Sequence, residues 1–136
     1  MRRLNLGEAE ATHLPGGRFR LDGGTMFGVV PKALWQSQCP PDPNNRIQLA
    51  CNCLLLEIGR ERILIDTGIG ERFSDRERAI YGIDSANTLQ QSLAAANCAP
   101  ANITQVVFTH LHFDHFCGSL VAKDNQLVPL FPNAKH

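Results

Sequence analysis

Apolar and polar positions change rhythm several times along the chain, and each change predicts an element. Residues 1–24 are rich in turn formers, with glycine pairs at Gly16-Gly17 and Gly23-Gly24. Short strands are expected at Arg18–Leu21 and Met26–Val30, joined by a turn at the second pair. The segment CPPDPNNR, Cys39–Arg46, holds three prolines and two asparagines and reads as a loop. Two strands follow, Ile47–Glu57 and Arg62–Asp66, around a turn at Ile58–Glu61. Their continuous apolar runs, Leu54-Leu55-Leu56 and Ile63-Leu64-Ile65, predict burial on both faces. Ser74–Gly82 reads as a short helix with a capping box of Ser74 and Glu77. A second helix is expected after Asn87 as its cap, with Leu89, Leu93 and Ala96 on one stripe and Pro100 just past its end. Ile103–Thr109 is then a strand. This order of strands, helices and strand predicts an α/β or α+β class.

Length and charge narrow the picture. A chain of 136 residues suits one domain. With 13 basic and 13 acidic residues it is formally neutral, so no nucleic-acid groove and no anionic membrane surface is expected as a partner. No apolar run approaches the ~20 residues that cross a bilayer. The start, MRRLNLGEAE, has no apolar stretch behind its arginines, so no signal peptide is expected. Five cysteines at irregular spacing fit reduced thiols in a cytoplasm. Cys51 and Cys53 face one side of an extended segment and read as small buried hydrophobes. Met26, Phe27 and Trp35 read as core rather than pocket rim.

The chemistry is concentrated in VVFTHLHFDHFCG, Val106–Gly118. His110 and His112 leave the last strand two residues apart, so both project to one side. Asp114 and His115 follow as the chain turns, into a helix expected to begin near Phe116. One short segment thus aims three imidazoles and a carboxylate into one space. That donor set suits zinc, manganese, iron or cobalt rather than copper(I).

The run Thr109-His110-Leu111-His112-Phe113-Asp114-His115 resembles the T-H-x-H-x-D-H signature of the metallo-β-lactamase-fold hydrolases. ILIDTG, Ile63–Gly68, is similar to the same family's strand ending in Asp-Thr-Gly. Asn52–Leu55 and the closing LFPNAKH further resemble its lactonase-like branch. His112 departs from the flavodiiron pattern, Leu111 from glyoxalase II, and His115 from the β-lactamases that lack a histidine there.

The resemblance implies a four-layer αββα sandwich with two divalent ions between its sheet edges. His110 and His112 would bind one ion, and Asp114 and His115 the other. Asp114 and Asp66 would be the carboxylates of the catalytic centre, with Asp66 orienting ligands from behind. Thr109 and Gly68 would be structural, and Cys117 would pack beside the site. A metal-bound hydroxide would then attack a small carbonyl substrate, a lactone, ester or β-lactam-like amide.

The family needs more ligands than this chain offers, and a catalytic zinc usually has three. His13 and His136 stand outside the motif positions and are not expected to serve. The resemblance covers roughly residues 47–136, so residues 1–136 are expected to be a single, truncated domain, the N-terminal half of the sandwich. Its site would be incomplete, and the missing half, a second chain or a homodimer would complete it. The alternatives are a non-catalytic metal-binding or association module, and a nuclease of the same fold.

Overall fold

The structure is a computed structural model that describes residues 2–84, 86, 88–124 and 126–135. Asn87, the expected helix cap, and His136 lie outside the described residues. Five strands form one sheet in the order β1 (Arg3–Asn5), β2 (Ala9–Asp22), β3 (Arg46–Ile58), β4 (Glu61–Ile65) and β5 (Gln105–Val107). β6 (Leu120–Lys123) and β7 (Gln126–Pro129) form a separate antiparallel pair. This mixed α/β architecture agrees with the predicted class. By its internal contacts the chain divides into two compact units, and β2 and β3 each contribute residues to both.

The first unit comprises residues 1–17, 51–72 and 85–136. β3 and β4 pair antiparallel, with Leu55 opposite Leu64, and β4 and β5 pair parallel, with Leu64 beside Val106. These three residues form a row of fully buried side chains across the sheet. Helix α4 (Leu89–Ala95) adds Leu89 and Leu93, and Leu14, Cys53, Ile103 and Phe131 complete the core. Each such aliphatic side chain contributes about 1.5–3 kcal/mol by leaving water.

The flanking Leu54, Leu56, Ile63 and Ile65 are only half-buried. Burial on both faces is therefore met on one face and only partly on the other. The cap of α4 is Thr88, whose hydroxyl accepts from Gln91 N–H while the Gln91 side chain accepts from Thr88 N–H. Ala96 packs against the core at the end of the stripe, as its spacing predicts.

The second unit comprises residues 18–50 and 73–84. Its buried side chains include Phe19, Trp35 and Ile47. The strand expected at Met26–Val30 is instead helix α1 (Gly23–Phe27), followed by α2 (Lys32–Trp35). Asp22 is the reason: its carboxylate accepts from Thr25 N–H at 2.8 Å and caps a helical turn where an apolar run alone suggests a strand. Gly23 lies so close to the Trp35 indole that a β-carbon there would overlap it. Trp35 is core as expected; Phe27 stacks on it, ring centroids 4.7 Å apart, but is only half-buried, and Met26 is exposed.

Helix α3 (Asp75–Tyr81) starts with the predicted Ser74–Glu77 capping box. Arg46 donates to the carbonyls of Ala79 and Ile80 near its end, and its Nε donates to Asp42 at 2.9 Å. The proline-rich segment is the expected loop, closed by Asp42, whose Oδ1 accepts from the backbone N–H of both Asn44 and Arg46. Among the described residues, no helix is long and apolar enough to cross a membrane.

Candidate metal centre

The site is built where two neighbouring parallel strands end side by side. β4 stops at Ile65, and Asp66 adopts a left-handed conformation with φ 57°. Aspartate is among the few side chains that tolerate this region, at about 1–2 kcal/mol. The turn brings the 66–68 segment against the loop that follows β5. Thr67, fully buried, donates from both its N–H (2.7 Å) and its hydroxyl (3.1 Å) to the His115 carbonyl.

The three segments meet backbone to backbone. Ile69 N–H donates to Gly16 O, and Gly118 N–H donates to Gly68 O. A β-carbon at Gly68 would overlap the Gly16 carbonyl, and one at Gly118 would overlap the Thr67 carbonyl. Gly68 also has φ 70°, so two independent constraints require glycine there.

Helix α5 spans Phe113–Phe116, starting three positions before the expected point. His112 is its N-terminal flanking residue, and the His112 carbonyl accepts from His115 N–H, which starts the turn one residue after the second imidazole. The turn folds the imidazoles together. The His110 ring centroid lies 4.6 Å from that of His112 and 3.9 Å from that of His115. His110 and His112 are exposed, while Asp114 and His115 are half-buried.

Asp66 sits beneath this group, 5% exposed. Its Oδ1 accepts from Thr109 N–H at 2.8 Å, and its Oδ2 lies 2.8 Å from both the Thr109 hydroxyl and His115 Nδ1. Burial alone would raise its pKa. The hydrogen bonds from His115 and Thr109 outweigh burial and hold the carboxyl below its ordinary range. Both oxygens are thus engaged by protein groups.

His115 Nε2 points at Asp114 Oδ2 across 3.5 Å. Two ligands of one tetrahedral ion with bonds near 2.1 Å stand roughly 3.4 Å apart. With Nδ1 engaged by Asp66, Nε2 and the Asp114 carboxylate are the two donors left facing one space. The donor chemistry and the spacing of this pair therefore fit a divalent metal. Among the described residues, no three His, Cys, Asp or Glu side chains converge as a ready-made cage.

The cysteines stay out of this chemistry. All five are free. Burial, and then the charge of Asp114, push the Cys51 thiol up to about 12, and burial pushes Cys53 up as well. Both are small buried side chains on one side of β3, as the sequence predicts. Burial also raises Cys117, against the opposing pull of Arg72. His13 is engaged elsewhere, its Nε2 2.8 Å from Asn52 Oδ1. Sequence reasoning missed the two-point hold of Thr67 on His115 and the contacts of the Thr109 hydroxyl. A hydroxyl residue directly before the first imidazole was the available signal.

Known proteins share the family and the fold. A family model described as the metallo-beta-lactamase superfamily matches residues 46–136. The chain is similar to a metallo-hydrolase, mfmC, of Annulohypoxylon moriforme, 24% identical over 106 residues that cover 70% of this chain and 28% of that protein. Among solved structures it resembles a probable metal-dependent hydrolase from Staphylococcus aureus, with 34% identity, TM-score 0.84, and coverage of 96% of this chain and 47% of that one. It also resembles AidC, a dizinc quorum-quenching lactonase in complex with a product, N-hexanoyl-L-homoserine, with 28% identity, TM-score 0.69, and coverage of 98% and 42%. The chain spans less than half the length of each of these relatives.

Proposed function

The chain belongs to the metallo-β-lactamase superfamily, and from that premise we propose that residues 110–115 supply four ligands of a binuclear centre that hydrolyses a small carbonyl substrate, a lactone or related ester. The observation that carries this reading is the linked set Asp66, His115 and Asp114, with Nδ1 held from behind at 2.8 Å and Nε2 facing a second donor at 3.5 Å. A histidine that holds a metal usually has this arrangement, a carboxylate on one nitrogen and the ion on the other.

His110 and His112 would hold one ion, and Asp114 and His115 the other. Zinc suits imidazole and carboxylate donors, and the similar lactonase AidC is a dizinc protein. When bound, ions of this kind polarise a carbonyl oxygen and bring the pKa of water towards neutrality. The chain's own part is orientation. Asp66 holds His115, Thr67 anchors the backbone of His115, and the exposed rings of His110 and His112 leave the site open to a small substrate. Five free thiols support a reducing, cytoplasmic setting.

Two ligands per ion are fewer than the three usual for catalytic zinc. We propose that the remaining ligands come from a complementary half of the fold, in the same polypeptide or a second chain. Coverage of only 42–47% of the similar solved structures supports this. A second copy of this chain is the alternative partner.

The test measures bound zinc by native mass spectrometry, and turnover on a lactone, ester and β-lactam panel. It uses this chain alone and together with the C-terminal part of the Staphylococcus aureus hydrolase. Zinc uptake and lactone or ester turnover that appear only in the assembled protein are expected. An assembly that holds two zinc ions and turns over none of the panel would overturn the proposal.

A further inference from the structure

We infer that Thr109 is a positioning residue that fixes which nitrogen of His110 carries the proton, so that one carboxylate, Asp66, sets the ring tautomers of two histidines assigned to different metal positions. The inference rests on the metal-hydrolase reading for its purpose, but its test needs no metal.

The argument is a proton count. An ionised carboxylate only accepts hydrogen bonds, while a threonine hydroxyl has one proton to give. Thr109 Oγ1 lies 2.8 Å from Asp66 Oδ2, a distance at which two oxygens share a hydrogen. Asp66 has none, so Thr109 spends its only proton there. Thr109 Oγ1 also lies 3.1 Å from His110 Nδ1. With the hydroxyl proton committed, that contact is a hydrogen bond only if His110 donates. His110 therefore carries its proton on Nδ1 and presents an unprotonated Nε2.

The same count applies to His115, whose Nδ1 lies 2.8 Å from Asp66 Oδ2 and so must donate. Its Nε2 faces Asp114 Oδ2 at 3.5 Å. The second contact of His115 Nδ1, 3.3 Å to Thr109 Oγ1, again offers that oxygen only as an acceptor. An aspartate is ordinarily ionised at neutral pH, and both oxygens of Asp66 stand where acceptors are needed, as the count requires.

The effect is specific because which imidazole nitrogen is protonated follows the hydrogen bond made by the other. An exposed imidazole in water favours the Nε2–H form, which cannot ligate through Nε2. His110 is exposed and, among the described residues, has no hydrogen bond or ion pair to a carboxylate, so Thr109 is what reverses that preference. Asp66 thus acts on His115 directly and on His110 through one intervening hydroxyl.

The test is a two-bond proton–nitrogen correlation on metal-free protein with nitrogen-15 histidine, at a pH above the ordinary imidazole range. His110 and His115 are both expected in the Nδ1–H form. Thr109→Val, which keeps shape and removes the hydroxyl, is expected to move His110 to Nε2–H while His115 stays. Thr109→Ser is expected to keep both. A zinc titration of the protein assembled with its complementary half should show affinity roughly ten-fold or more weaker for Thr109→Val than for Thr109→Ser. An Nε2–H signal for His110 in the unaltered protein overturns the inference, as does an unchanged His110 in a folded Thr109→Val variant. If Thr109→Val does not fold, the unaltered protein and Thr109→Ser still decide it. Failure of zinc to bind while both tautomers are as expected would strike the metal reading alone.

Discussion

Asp66 Oδ2 and His115 Nδ1 stand 2.8 Å apart, although the two residues come from different strand ends. The carboxylate is buried, its backbone is left-handed, and its other oxygen is bound to Thr109 N–H. The charge on Asp66 is therefore a structural requirement of the segment that carries the imidazoles.

Asp66→Asn isolates that charge, because asparagine also tolerates positive φ. It should weaken zinc binding by the assembled protein 10–100-fold and lower folding stability by about 1–3 kcal/mol through the compromised buried hydrogen bonds. Competitive zinc titration and denaturant melts measure the two effects separately. Unchanged zinc affinity would remove Asp66 from the orienting role.

The acid side of the stability profile should depend on Asp42. The backbone N–H of Arg46 binds its carboxylate, and burial opposes this; the net effect, with the Arg46 side chain and Asn44 N–H, is a pKa below the ordinary value. A group depressed in the folded state contributes stability above its unfolded pKa and loses it as pH falls through the folded one. Asp42→Asn should therefore lower the melting temperature at neutral pH and reduce the further loss on acidification. Carbon-13 titration of the carboxyl, together with melts across pH, checks both. An ordinary pKa for Asp42 would contradict it.

Gly118 and Gly59 should respond differently to alanine. Gly59 has φ 58° with open space around it, so Gly59→Ala costs only the conformational strain, about 1 kcal/mol. At Gly118 a β-carbon would overlap the Thr67 carbonyl, which belongs to the backbone and has no rotamer to change. Gly118→Ala should cost about 2–3 kcal/mol. Equal melting temperatures for the two variants would show that the close approach is unimportant.

Native thiol labelling should be strongly ordered. Cys39 is exposed, whereas Cys51 and Cys53 are buried with raised pKa values, about 12 for Cys51. The thiolate is the reactive form. Iodoacetamide at neutral pH should modify Cys39 first and leave Cys51 and Cys53 until the protein unfolds. Peptide mass mapping over time follows the order, and early labelling of Cys51 would contradict the burial that raises it.

What was legible in the sequence was what short-range pattern encodes. The β3–β4 pair, the Ser74 capping box and the imidazole cluster each follow from spacing within a few residues. The error at Met26–Val30 arose because one side chain, Asp22, overrides the apolar pattern by capping a turn. The late placement of α5 has a similar origin, since the turn that begins at the His112 carbonyl makes no pattern of its own. The Thr67 N–H bond to His115 and the Thr67–Gly118 approach were out of reach, because they join residues far apart in sequence through backbone atoms that carry no residue-specific signal.

The glycine junction has a mechanical consequence. Where Gly16, Gly68 and Gly118 bring three stretches of main chain together, Gly68 meets the Gly16 backbone and Gly118 the Thr67 backbone, neither of which has a rotamer to change. Interiors packed this closely transmit strain rather than dissipate it. A small shift of the turn at Asp66 would reach the His115 ring almost undiminished. Residues that touch neither metal position could then retune the centre simply by tilting that turn.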